Sequence, residues 1–158
     1  CERGFDPDRN AFVQSYGSKE LDAALLMLPL VGFLPGKDPR ITGTIDAVRA
    51  ELSDGVFVRR YNTRPELDGL PAGEGMFLPC TFWLADALIL NDRREEGRHV
   101  FEQGIGACND LGLLSEEYDP VSRRQLGNFP QAYSHVALIN TAHNLNLHRG
   151  PALERASG

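Results

Sequence analysis

The stretch Ser115-Glu116-Glu117-Tyr118-Asp119 brings three carboxylates and an aromatic ring together in a polar, turn-rich segment. The segment ends at Asn128-Phe129-Pro130, where a mostly apolar helix is predicted to begin. A loop at the mouth of a buried helix can present a carboxylate to a substrate while the scaffold stays rigid. Glu116 is therefore a candidate general base. The alternative is that Glu116 and Glu117 are ordinary solvated acids.

The composition predicts one folded domain whose partner is neither a nucleic acid nor a membrane. The chain has 158 residues, of which 42% are apolar, which is enough for one core. Its net charge of −6 argues against binding to a phosphate backbone. The longest apolar run, residues 76–90, is shorter than a membrane span and is interrupted by Thr81 and Asp86.

The cysteines indicate neither a metal site nor a disulfide framework. They are odd in number and widely spaced, at Cys1, Cys80 and Cys108. No zinc-type spacing occurs, so no metal or other cofactor is predicted. Free thiols inside apolar helical patterns favour a reducing compartment, and we therefore expect a cytoplasmic protein.

Hydrophobic patterning predicts five helices. Asp38-Pro39 is a typical helix start, with an N-cap followed by proline at the first helical position. Short strands are predicted at about residues 11–14 and 56–61, and a long loop at 62–73. The predicted helices cover about residues 18–34, 39–52, 74–90, 94–110 and 130–147.

The polarity of these helices alternates along the chain. The first, third and fifth are apolar on nearly every side, whereas the second and fourth are amphipathic. The apolar helices begin at steps of about 56 residues, the scale of a helical-hairpin repeat. An inner ring of helices packed on both sides and an outer ring of helices exposed to solvent on one side would produce this pattern. We therefore predict an all-α arc of an α/α toroid, with a solenoid of hairpins as the alternative.

Five helices cannot close such a ring. An arc leaves apolar inner faces without neighbours, which indicates either a missing portion or self-association through those faces. The chain also opens with Cys1-Glu2-Arg3-Gly4 and lacks an initiator Met. We therefore expect it to be a piece of a longer protein.

Several ordered blocks of the sequence resemble family 15 glycoside hydrolases, which include glucoamylases, glucodextranases and related bacterial trehalases. The resemblance covers about residues 4–147. It is carried by residues 12–17, 38–40, 74–83, 112–119 and 126–139. It implies an (α/α)6 barrel, with residues 1–158 as the C-terminal part of the catalytic domain.

The resemblance also implies an inverting mechanism with one glutamic acid as general acid and another as general base. By motif, the base is Glu116. The family's acid lies in an earlier loop with a Trp-Glu motif, which does not occur here, since Trp83 is followed by Leu84. The isolated chain is therefore expected to be inactive.

Four further residues are candidates for binding sugar. Arg60-Tyr61 resembles the family's Arg-Tyr pair at the first glucose subsite, and arginine suits paired hydrogen bonds to hydroxyls. The alternative is that Arg60 is part of a surface basic pair. Glu74 is expected at the mouth of the barrel, or else only as a capping acid. Tyr118 could stack on a sugar.

The expected function is inverting hydrolysis of α-glucosidic bonds, with glucoamylase-like release of glucose from an α-glucan. A trehalase of the same family, acting on trehalose, is one alternative. A helical-repeat interaction module without chemistry is another. The hydrolase hypothesis requires Glu116, Arg60 and Glu74 to lie at one end of the helices, whereas the module hypothesis predicts that they are scattered.

Overall fold

The chain forms an arc of helices around one fully buried helix. The computed structural model describes residues 1–62 and 75–146, which contain five α-helices and seven short strands. The helices are α1 (Met27–Leu30), α2 (Pro39–Leu52), α3 (Leu78–Leu90), α4 (Arg94–Ile105) and α5 (Ala132–Asn146). A 3-10 turn, Ala23–Leu26, leads directly into α1. The predicted number of helices and the partial (α/α)6 toroid are confirmed.

Helix α3 is buried on every side. All of its 13 residues are buried, and Asp86 is the one charged residue among them. Helix α4 lies against one side, where a Cβ on Gly97 would stand 2.8 Å from the Ala85 carbonyl oxygen. Helix α5 lies against another side, where Thr141 donates to the Phe82 carbonyl at 3.2 Å. An apolar helix with packed neighbours on several faces is an inner helix, as the sequence predicts.

Helices α2 and α4 form the outer layer. Helix α2 buries the stripe that contains Ile41, Ile45 and Val48 and exposes charged residues on its other face. It begins where expected, because the Asp38 carboxylate accepts the Arg40 N–H at 2.9 Å and so caps the first turn. The alternation of inner and outer helices is therefore present in the structure.

The first inner helix is much shorter than the predicted 18–34. Residues 18–22 are not helical, and the Gln14 N–H donates to the Glu20 carbonyl at 2.9 Å. Asp22 then caps the 3-10 turn. Helix α1 ends at Leu30, beyond which Val31 is 60% exposed. The apolar pattern predicts that these side chains are buried in a long helix, but the Asp22 cap sets where the helical segment begins.

Short antiparallel strands confirm the two predicted strand segments, at β2 and β4, and also occupy segments for which the sequence predicts other structures. The seven strands are β1 (Phe5–Asp6), β2 (Ala11–Phe12), β3 (Ser53–Asp54), β4 (Phe57–Val58), β5 (Met76–Phe77), β6 (Glu117–Asp119) and β7 (Arg124–Leu126). Strand β1 pairs with β2 and β3 with β4, while β5, β6 and β7 form one sheet. The prediction of helix from residue 74 and of a plain loop after residue 110 was wrong, because β5 and β6 pair across 40 to 42 positions, Met76 facing Tyr118 and Phe77 facing Glu117.

One side of α5 is apolar and exposed. Val136 is 53% exposed and Ile139 62%, with Tyr133 on the same side at helical spacing, and Phe129, just before the helix, is also exposed. This is the unpaired inner face that an incomplete ring predicts. Among the described residues, no helix is long and apolar enough to cross a membrane.

A buried carboxyl group lies between α3 and α5. Asp86 is 2% exposed, and its Oδ1 accepts a hydrogen bond from Asn144 Nδ2 at 2.9 Å. Burial raises the pKa of Asp86 to about 7, although the Asn144 hydrogen bond acts in the opposite direction. In an unfolded chain the pKa of aspartate is about 3.9. The folded state therefore binds a proton that the unfolded state releases between these two values.

We expect this difference to make the protein less stable as pH rises from about 4 to about 7. One group of this kind changes the free energy of unfolding by at most about 1.4 kcal/mol per pH unit. In Asp86→Asn this slope should disappear, since the amide keeps an oxygen for Asn144 and does not titrate. The measurement is denaturant unfolding from pH 5 to 8, with the exposed Asp92→Asn as control. An unchanged slope in Asp86→Asn would contradict the assignment.

Candidate active site

Glu116 lies where the N-terminal ends of α3 and α5 meet. Its N–H donates to the Asn128 carbonyl at 2.9 Å, and its carbonyl accepts the Leu78 N–H at 3.1 Å. Leu78 is the first residue of α3, and Asn128 lies four residues before α5. The main chain of Glu116 is thus tied to the starts of both inner helices.

The carboxylate of Glu116 is held by the turn that precedes α5. Its Oε2 accepts hydrogen bonds from Asn128 Nδ2 at 2.9 Å and from the Asn128 N–H at 3.2 Å. Gly127 has φ of 73°, and a Cβ there would stand 2.9 Å from Oε2. Glycine is therefore required both for the backbone conformation and for the space. Two N–H donors on one oxygen complement a negatively charged carboxylate.

The residues around Glu116 are hydrogen-bonded to the first turn of α5. Buried Ser134 donates from Oγ to the Ser115 carbonyl at 2.7 Å. Ser115 in turn donates from Oγ to the Glu117 carbonyl at 2.5 Å. These bonds leave Glu116 little freedom to move relative to α5, which is what a residue positioned for chemistry requires.

His135 completes this connection. The Leu114 N–H donates to His135 Nε2 at 3.2 Å, and His135 Nδ1 lies 2.7 Å from the Gln131 carbonyl. Neutral imidazole with its proton on Nδ1 satisfies both partners. His135 therefore makes a polar structural contact between α5 and the segment that carries Glu116. Within residues 1–62 and 75–146, no three His, Cys, Asp or Glu side chains are grouped to hold a metal ion.

Glu117 faces a different partner from Glu116. Its Oε2 accepts the Gly75 N–H at 2.9 Å, and its backbone is part of strand β6. This side chain therefore fixes the chain just before β5. The two adjacent acids have different surroundings, and Glu116 is the one beside the start of α5.

Arg60 lies close to the same end of the helices. Its Nε donates to Asp22 Oδ1 at 2.6 Å, and this bond raises the pKa of Arg60. Arg60 follows strand β4, whose Val58 N–H donates to Thr81 Oγ1, in the first turn of α3, at 3.2 Å. Arg60 and Glu116 therefore both lie near the start of α3, as the hydrolase hypothesis requires of these two residues.

Three aromatic side chains pack together where α3 and α5 begin. The ring of Tyr133 meets Trp83 edge-on at 5.8 Å and Phe77 at 6.2 Å between centroids. Partial burial raises the pKa of Tyr133, with the nearby Cys80 acting in the same direction. Trp83 itself is buried, as expected for a core residue. Tyr133 is 47% exposed, so part of its ring is accessible at this end of the helices.

The other three predicted sugar-binding residues are not placed beside Glu116 by any contact within the described part of the chain. The ring of Tyr118 packs on Phe57 at 4.9 Å, so it contributes to packing against the β3–β4 hairpin. Tyr61 is half-buried directly after Arg60. Glu74 lies outside the described residues. A sugar contact from each of these three side chains stays a prediction.

Three residues of the site were not singled out from the sequence. The sequence predicts a helix at Asp22 and a turn at Asn128, where Gly127-Asn128 is a usual turn signal. It predicts an inner helix at Tyr133, whose spacing from Val136 places both on one helical face and is the signal for an exposed aromatic.

The chain is similar to known proteins over most of its length. The sequence profile described as Glycosyl hydrolases family 15 matches residues 1–143. A trehalase of Thermoplasma volcanium is 49% identical over 145 residues, which are 91% of this chain and 23% of the relative. A trehalase of Mycobacterium tuberculosis is 42% identical over 139 residues, which are 88% of this chain and 20% of the relative.

Solved structures give the same fold. A wild-type glycosidase superposes with a TM-score of 0.77 at 20% identity, covering 92% of this chain and 40% of the other. A variant glycosidase in complex with glucose gives 0.76, with the same identity and coverage. The chain spans about a fifth to a quarter of the length of the curated relatives that it matches.

The Ser134 hydroxyl is expected to stabilise the segment that carries Glu116. In Ser134→Ala the buried Ser115 carbonyl loses its donor, which should lower the free energy of unfolding by about 1–3 kcal/mol. The amides of residues 114–117 should also exchange faster in hydrogen-exchange mass spectrometry. Ser122→Ala removes an exposed hydroxyl that bonds to Asp119 and is the control. Equal effects of the two variants would argue against a special role for Ser134.

Proposed function

Because this chain belongs to glycosyl hydrolase family 15, we propose that it forms part of an enzyme that hydrolyses α-glucosidic bonds. The observation that supports this most is the position of Glu116, fixed through its main chain to the starts of α3 and α5. We assign residues 1–158 to the C-terminal part of an (α/α)6 catalytic barrel. The small share of its relatives' length that the chain covers supports this assignment.

In this proposal Glu116 is the general base of an inverting reaction. Such enzymes use two carboxyl groups about 6.5–9.5 Å apart, with the attacking water beside the base. Glu116 takes a proton from that water while the water oxygen bonds to the anomeric carbon. The glycosidic bond breaks, and a general acid protonates the leaving oxygen. We assign the acid to a part of the barrel beyond this chain.

The Asn128 contacts suit this role. Asn128 holds Glu116 Oε2 through two N–H donors. Oε1 is then the oxygen that we assign to the water. Donors fixed before substrate binds keep the carboxylate oriented, so no reorganisation is needed during the reaction.

We propose that Arg60 donates hydrogen bonds to hydroxyl groups of the sugar, with Tyr61, Glu74 and Tyr118 as further contacts. Arg60 is the best supported of the four, because its bonds to Asp22 and Ala23 fix it and the contact of β4 with Thr81 places it near the start of α3, where Glu116 also lies. A guanidinium group and an aromatic ring at one end of the helices suit a sugar, which offers hydroxyls at its edge and C–H groups on its faces.

Trehalose is the substrate that we favour. Relatives named trehalase are 42–49% identical to this chain over more than four-fifths of its length. Maltooligosaccharides, which the sequence alone suggested first, are the second candidate. Binding and hydrolysis of either sugar would use the same general base.

Two other expectations depend on this proposal. A non-catalytic helical-repeat module is not favoured, because Arg60 and Glu116 lie at the same end of α3 rather than scattered over the surface. The exposed apolar face of α5 is assigned to packing inside the complete barrel. The isolated chain should therefore self-associate through that face and be inactive.

Glu116→Gln in the full-length protein tests the general base. Glutamine keeps an oxygen for the Asn128 donors but cannot accept a proton from water. We expect kcat to fall by about 10²- to 10⁴-fold while the unfolding midpoint stays near that of the wild type. Glu117→Gln, which retains an acceptor for Gly75, is the matched control and should keep most of the activity. Near wild-type turnover in Glu116→Gln would contradict the assignment of Glu116 as the general base.

Assays of the full-length protein with trehalose and with maltose test both the substrate preference and the stereochemistry of hydrolysis. We expect kcat/KM to be higher for trehalose. Inversion at one anomeric carbon of trehalose should release one β-glucose and one α-glucose, which proton NMR distinguishes before mutarotation. A preference for maltose would support the glucoamylase-like alternative. Release of two α-glucose molecules would indicate retention and would exclude the proposed mechanism.

A further inference from the structure

Arg60 is held by the turn that starts the first inner helix. Its Nε donates to Asp22 Oδ1 at 2.6 Å, and the same oxygen accepts the Ala24 N–H at 2.7 Å. On the main chain, the Ala23 N–H donates to the Arg60 carbonyl at 2.8 Å. Both the backbone and the side chain of Arg60 are therefore tied to residues 22–24.

The two partners are unequally exposed. The Asp22 side chain is 12% exposed and that of Arg60 40%. A largely buried carboxylate needs a cation nearby, and here the cation is on the accessible side of the pair. The bond to Asp22 uses Nε and so orients the plane of the guanidinium. No acceptor within residues 1–62 and 75–146 bonds to its terminal nitrogens, which can donate to a sugar hydroxyl.

We propose that Asp22 is a positioning residue that sets the guanidinium of Arg60 for binding sugar. Asp22 acts on the substrate through Arg60 and does not touch it. The inference rests on the proposed function, because it requires Arg60 to contact the sugar. It adds a residue from the first inner helix to a site otherwise built at the starts of α3 and α5.

The simpler role for Asp22 is to cap the 3-10 turn, and the chain offers a matched control for it. Asp38 caps α2 and also pairs with an arginine, Arg40, through Nε at 2.9 Å and Nη2 at 2.7 Å. That pair lies near the other end of α3, where Asn91 donates to the Gly36 carbonyl. Asp38 thus combines a cap with an ion pair at a distance from the site.

The experiment is a double-mutant cycle in the full-length protein, assayed with trehalose. In Asp22→Ser the serine still caps the turn but is too short to reach Arg60. We expect KM to rise about tenfold with kcat within about twofold, since a hydrogen bond to a charged group is lost from binding. Arg60→Gln should raise KM at least as much. The double variant should be no worse than Arg60→Gln, and Asp38→Ser should leave KM unchanged.

Additive effects on KM in the cycle, or an unchanged KM in Asp22→Ser with only a lower unfolding midpoint, would overturn the inference and leave Asp22 as a cap. Should Asp22→Ser fail to fold, Asp22→Asn serves in the same cycle, since asparagine keeps the cap and the shape but loses the charge. Failure of the proposed function is distinct. In that case the wild type neither hydrolyses trehalose nor binds glucose by calorimetry, and both proposals fall together.

Discussion

A helix buried on every side has no solvent to satisfy its ends, and this constraint on α3 organises the site. The first N–H groups of a helix have no partner within it. Phe77, at the N-cap of α3, makes no side-chain capping bond. Pro79 removes one donor, and the Leu78 N–H is taken by the Glu116 carbonyl. The requirement to cap α3 therefore brings the main chain of Glu116 to the open end of the helices, where its carboxylate becomes accessible.

The fold could be predicted from the sequence where the determinants are local. Helix α2 was placed correctly because Asp38 and Pro39 define its start within two residues. The start of α3 differs from the prediction because Met76 and Phe77 pair with residues 40 or more positions away. The first inner helix was overestimated for a different reason. An apolar run shows that side chains tend to be buried, but it does not show whether the backbone is helical, and Asp22 decides that locally.

The candidate site was predictable to a similar degree. Glu116 and Arg60 came from short motifs, and the structure brings them to one end of the helices. Asp22, Asn128 and Tyr133 were missed because their roles come from contacts between elements that are distant in sequence. Asn128 is 12 positions from Glu116, and Asp22 is 38 from Arg60. Single-sequence patterns report periodicity and capping, but they carry no information on which loop a side chain will meet.

The polar contacts buried between α3 and α5 determine how precisely this end can be built. Apolar helix surfaces tolerate small shifts, whereas a buried hydrogen bond that slips is costly. Thr141 bonds to the Phe82 carbonyl, and one turn further along Asn144 bonds to Asp86. These two bonds fix the axial register of the helices. Glu116 depends on that register, because it is bonded to Leu78 of α3 and its neighbour Ser115 to Ser134 of α5. A buried carboxyl group that lowers stability near neutral pH therefore also helps to hold the proposed general base in place.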